Sequence, residues 1–126
     1  MVAIVWIIPI PSTNVVDGPN NRTIKYRGHE LKFSLMNEEG TTYEYSITFS
    51  GTEAYRCTYL SSCTVEMIQT SYDKLVDCGE TDWLMETKEI SERVSGSKKQ
   101  LHHYRIFFDE GPCFEFISEE VVICQP

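Results

Sequence analysis

Basic residues are scarce in this chain. Eleven Lys and Arg stand against 19 Asp and Glu, leaving a net charge of −8. Neutralising phosphates takes clustered Lys and Arg, so nucleic acid is excluded as a partner. Long apolar runs are missing too. The richest, Met1 to Ile10, is broken by Pro9, followed by Pro11, and is too short to cross a bilayer, so no membrane span is expected. It also lacks a basic leader and a small-x-small cleavage site. It reads as a strand from Val2 to Ile8 ended by proline, not as a secretory signal.

Motifs that name a reaction are equally absent. There is no Gly-rich phosphate loop, no G-x-S-x-G elbow, no His-x-x-x-His pair and no calcium-loop spacing. The five cysteines, Cys57, Cys63, Cys78, Cys113 and Cys124, form no C-x-x-C pair and no zinc-ligand spacing. An odd number of them, spread over strands and helix, fits reduced thiols in a cytoplasmic protein better than a disulfide framework. Asn21-Arg22-Thr23 matches a glycosylation sequon, but without a secretory signal it is a chance match. No metal, no cofactor and no catalytic residue is expected.

What is present is the composition of an ordinary globular protein, 41% hydrophobic and 12% aromatic over 126 residues. That is one domain, 1–126, large enough to bury a core unaided. Within it 11–21, PSTNVVDGPNN, is dense in Pro, Gly, Asn and Ser and reads as a mobile loop. From there Leu31, Phe33 and Leu35 alternate with polar residues, as do Tyr43, Tyr45, Ile47 and Phe49 after the turn Asn37 to Gly40. Tyr55, Cys57 and Tyr59 follow behind Ser50-Gly51-Thr52, so three consecutive strands form a meander. At Thr64, an N-cap, the period lengthens. Ile68, Tyr72, Leu75 and Val76 predict a helix closed by Cys78-Gly79, and Trp83, Leu84, Ile90 and Val94 a second from Thr81 to about Val94.

The stretch Leu101 to Cys124 organises the rest. Two aromatic and β-branched runs flank Asp109-Glu110-Gly111-Pro112, which reads as a β-hairpin. Tyr104, Ile106 and Phe108 share one face and His103, Arg105 and Phe107 the other, while Phe114 and Phe116 oppose Cys113, Glu115 and Ile117. The expected order is β-βββ-αα-ββ. It defines an α+β domain, mainly a twisted antiparallel sheet of five to six strands with two helices packed on it.

Two groups of residues are candidates for function. His103 and Glu115 fall on the same hairpin face, where they could form a His-carboxylate pair for acid-base work, although a structural cross-strand pair at the surface explains them more simply. Asp109, Glu110, Glu119 and Glu120 make the hairpin acidic and, with Tyr104 nearby, could present a docking face to a basic protein.

Tyr72-Asp73-Lys74-Leu75 through Asp82-Trp83-Leu84, and His103 to Asp109 with Phe114 to Ile117, resemble a loose family of small bacterial proteins, some of them similar to immunity proteins of toxin systems. The matching residues are core and turn residues and bring no catalytic groups. The resemblance implies a cytoplasmic binding protein. Two functions are therefore expected in competition: a non-enzymatic, immunity-like inhibitor of a basic partner, and a small-ligand binder or simple hydrolase built on His103 and Glu115. A homodimer through an exposed strand edge is compatible with either.

Overall fold

The structure, a computed structural model, describes residues 5–9, 25–27, 30–36, 42–72, 74–108 and 112–124, with side chains from Ser46 onward. Alternation of apolar and polar residues gives the strands, and the polar stretches between them give the connections. In chain order the strands are β1 (Val5–Pro9), β2 (Lys25–Arg27), β3 (Glu30–Met36), β4 (Thr42–Ser50), β5 (Ala54–Thr58), β6 (Lys74–Asp77), β7 (His102–Phe107), β8 (Cys113–Ser118) and β9 (Glu120–Cys124). Among the described residues two helices, α1 (Val65–Ser71) and α2 (Asp82–Ser95), flank β6, and a 3-10 turn at Leu60–Ser62 precedes α1.

Every pairing between these strands is antiparallel, and they form two sheets, ordered β1-β6-β7-β8-β5 and β2-β3-β4-β9. The expected α+β class holds. The strands are divided between two sheets because β4 and β5 do not pair with each other as a meander requires. At Gly51 the chain leaves the second sheet and enters the first, and at Glu119 the returning chain does the reverse. Ser50 lies opposite Glu120 in one sheet and Ala54 opposite Ile117 in the other. Between them Glu119 donates its amide to the Ser50 carbonyl at 2.9 Å and Glu53 donates to Ile117 at 2.8 Å. A single two-stranded ribbon thus bends through a corner and supplies strands to both sheets.

The hairpin's two faces have different neighbours. Tyr104, Ile106, Phe108, Phe114 and Phe116 meet Ile47 and Phe49 of the second sheet, and half-buried Val121 and Ile123 pack against this core. The Phe49 and Phe116 rings stack with centroids 3.8 Å apart. The other face carries His103, Arg105, Phe107, Cys113, Glu115 and Ile117, all buried on the helix side with Val76 of β6 beside them. Leu84 of α2 packs there with Leu101 and Ile117.

One expected element is corrected. The helix predicted to run from Thr64 to Gly79 stops at Ser71, and Lys74–Asp77 is a strand. Thr64 does cap α1, accepting the Met67 amide at 3.1 Å. Leu75 and Val76, however, are fully buried between β1 and β7, and this pairing outweighs the helical spacing of Ile68, Tyr72, Leu75 and Val76. The second helix begins as expected. Thr81 accepts the Leu84 amide at 3.2 Å, and Gly96, at φ 74°, closes the far end. Its expected apolar stripe is only half used. Leu84 is buried and Trp83 half-buried, but Ile90 and Val94 face solvent. The proposed loop 11–21 and the turn 37–40 lie outside the described residues.

Candidate functional site

The expected pair exists, and it is sealed. His103 and Glu115 are 2% and 0% exposed. Strand register places His103 opposite Ile117 and Arg105 opposite Glu115, so the pair meets on the diagonal. The His103 Nε2 lies 2.6 Å from Glu115 Oε2. A carboxylate has no proton to give, so Nε2 is the donor. The other ring nitrogen is also engaged. Thr81 Oγ1 lies 2.7 Å from Nδ1, and because that oxygen already accepts the Leu84 amide its own hydrogen is free to point at the ring.

Glu115 is the centre of a larger network. Arg56, opposite it on β5, donates from Nε to Oε1 at 3.2 Å and from Nη2 to Oε2 at 3.1 Å. Such a bidentate clamp is geometrically specific. The Arg105 Nη1 approaches Oε2 at 3.9 Å, while its Nε and Nη2 donate to Ser71 and Thr70 at the end of α1. Burial acts to raise the Glu115 carboxyl. Hydrogen bonds from His103 and Arg56, with the charge of Arg56, outweigh it and hold the group below its ordinary value of 4.5. Trp83 closes the remaining side, its ring edge-on to His103 at 5.0 Å and beneath the Arg56 guanidinium at 4.2 Å. Arg56, with 47% of its side chain exposed, is the one member that reaches solvent substantially.

Three thiols lie on or near this face. Burial pushes Cys78 up to about 12 and raises Cys113 further, and it also raises half-buried Cys63. A thiol so raised is a poor nucleophile. All five cysteines are free, although only Cys78 and Cys113 are buried as core fillers. Among the described residues no three His, Cys, Asp or Glu side chains come together as a metal set.

The other expected residues are dispersed. Tyr104 lies in the core between the sheets, on the opposite face from His103. Glu119 is half-buried at the sheet corner, its carboxylate against Gly51, and Glu120 is exposed at the start of β9. Asp109 and Glu110 lie outside the described residues. The sequence reading did not join Arg56, Arg105, Thr81 and Trp83 to the pair. A signal for burial was present: Phe107 and Ile117 share the face of His103 and Glu115, so both sides of the hairpin are apolar and both must be covered.

Two shallow grooves run along α2, away from the buried pair. One, of about 380 Å³, is lined by Asp82, Met85, Glu86, Lys88, Glu89 and Glu92. The other, of about 420 Å³, lies between Ile90 and Val94 of α2 and Ala54 at the start of β5. Glu53 and Lys99, ion-paired at 2.5 Å, line it too. No described helix is long and apolar enough to cross a membrane. Comparisons with protein-family models, curated proteins and solved structures give no match.

Proposed function

We propose that the chain is a non-enzymatic binding protein, an immunity-like inhibitor that holds a basic partner protein in the cytoplasm. One contrast carries the reading: the carboxylate best equipped for chemistry, Glu115, is buried and fully engaged, while Asp82, Glu86, Glu89 and Glu92 line a groove on α2 around exposed Met85, with Lys88 among them. Asp82, Glu86, Glu89 and Glu92 would steer a basic surface toward that helix, and Met85 would supply an apolar anchor. Glu120, exposed at the start of β9, is a further acidic contact for the same partner, and the sequence offers Asp109 and Glu110 as others. The competing hydrolase or small-ligand reading needs a substrate to reach a nitrogen of His103. Both nitrogens are taken, by Thr81 and Glu115.

The test is affinity capture with the full chain as bait, followed by titration of the isolated partner. A basic protein should be retained at low salt and released as salt rises. Glu86→Lys with Glu89→Lys should slow its association and flatten the salt dependence, with Asp109→Lys and Glu110→Lys compared in parallel. Retention of no basic protein, or binding indifferent to both pairs of reversals, would remove the proposal.

A further inference from the structure

Two of the five thiols are brought together by the fold. After β5 the 3-10 turn at Leu60–Ser62 folds the chain back, closed by the Cys63 amide donating to the Leu60 carbonyl at 3.1 Å. The Cys63 thiol thereby returns to the end of the strand that the chain has just left, its sulfur 3.6 Å from the Thr58 carbonyl oxygen and 3.4 Å from that of Tyr59. Thr58 in turn lies opposite Cys113 in the register of β5 with β8. Cys63 and Cys113 consequently meet in side-chain hydrogen-bond contact.

The remaining thiols are placed elsewhere. Cys57 lies opposite Phe114, so strand alternation turns it toward the other face of the sheet, and Cys124 belongs to β9 of the second sheet. Cys78 is on the helix side, but its amide donates to His103, at the other end of β7 from Phe107, the residue opposite Cys113. The pair is therefore one half-buried thiol against one buried thiol.

We propose that Cys63 and Cys113 are a latent disulfide, closed by exchange with a low-molecular-weight disulfide such as that of glutathione. Cys63, the more accessible thiol, gives its proton to water and attacks one sulfur of the external disulfide. A bond from Cys63 to one glutathione forms, and the other glutathione leaves as a thiolate that takes up a proton. Cys113 then loses its proton and attacks the Cys63 sulfur, expelling the second glutathione. Two protein thiols are oxidised and one external disulfide is reduced to two thiols, so protons and electrons balance.

Burial, and after it the charge of Glu115, raises both thiols. Both effects oppose a thiolate, so closure is slow. Neither opposes the product, because a disulfide is uncharged and apolar. A dithiol that gains nothing from a stabilised thiolate keeps its disulfide against reduction once formed. The bond fastens the connection into α1 to β8 and closes a loop of about fifty residues, which makes the oxidised chain the more stable one. It draws on neither the acidic groove of α2 nor a basic partner.

The full chain is incubated, folded and in urea, at rising ratios of glutathione disulfide to glutathione, then alkylated, weighed and digested. The expected product of the folded chain is a monomer lighter by two hydrogens, with Cys63 linked to Cys113. One tryptic peptide carries Cys57 with Cys63 and another Cys113 with Cys124, so the assignment is made in the Cys57→Ser, Cys124→Ser chain. The link should persist there and vanish in Cys63→Ser. Closure should raise the melting temperature by roughly 5 °C or more, a gain reversed by dithiothreitol and absent from Cys63→Ser. Five free thiols after prolonged incubation overturn the proposal. So does a link through Cys57, Cys78 or Cys124, a link between chains, a link formed only in urea, or a glutathione adduct on Cys63 that Cys113 never resolves.

Discussion

Glu115 is the side chain on which the helix-side face depends. Its carboxylate accepts from His103 and Arg56 and is approached by Arg105, so Glu115→Ala would leave the buried His103 Nε2 without its acceptor and the buried Arg105 guanidinium without its nearby counter-charge. A loss of about 3–5 kcal/mol is expected, measured as a fall in the urea midpoint. Arg56→Met should cost less, since Arg56 is half exposed and Glu115 keeps His103. The same carboxyl gives stability a pH dependence. Its folded value lies below the ordinary 4.5, so its contribution is fully present above that value and is lost as the pH falls through the lower, folded one. Urea titrations between neutral and acid pH should show this slope in the native chain and a shallower one in Glu115→Gln. The pairing of His103 with Glu115 was legible from strand alternation alone. Its burial was signalled only by Phe107 and Ile117 on the same face, and alternation does not say what covers that face. Thr81 and Trp83 join from another element, at a separation no local pattern reports.

Among the elements, the corner at Gly51 is the most constrained. Its φ of +64° is in the left-handed region, and a Cβ there would stand 2.7 Å from the Glu119 carboxylate. Gly51→Ala should destabilise by about 1–2 kcal/mol from backbone strain, with a further loss from displacing Glu119. Adding Glu119→Ala should recover the second part and not the first, a separation that thermal melts of the three variants would resolve. Helix α2 behaves differently at its two ends. Thr81→Ala should cost about 1 kcal/mol as a lost cap and more through the freed Nδ1 of His103, whereas Ile90 and Val94 tolerate polar replacement in the monomer. The strands β3, β4, β5, β7 and β8 were readable because alternation is a strong signal. Strand β6 was not, since Leu75-Val76 is too short to separate period two from period 3.6 and only its position between β1 and β7 decides it. The sheet change at Gly51 was likewise hidden, because Ser50-Gly51-Thr52 reads equally well as a hairpin turn.

At the scale of the whole molecule, the acidic surface predicts that a basic partner, once captured, binds more weakly as ionic strength rises, which a titration at increasing salt measures. The bent ribbon also has a meaning in time. Both halves of it, Ser46 to Ser50 with β9 and Ala54 to Thr58 with β8, join the middle of the chain to its last strands. Neither sheet can therefore complete its inner face until those strands are available, and the entropy of closing that long loop is spent before Phe49 can stack on Phe116. Such non-local topologies refold in milliseconds to seconds rather than microseconds. The strands that close the core are separated in sequence from the ones they pair with by roughly fifty residues or more.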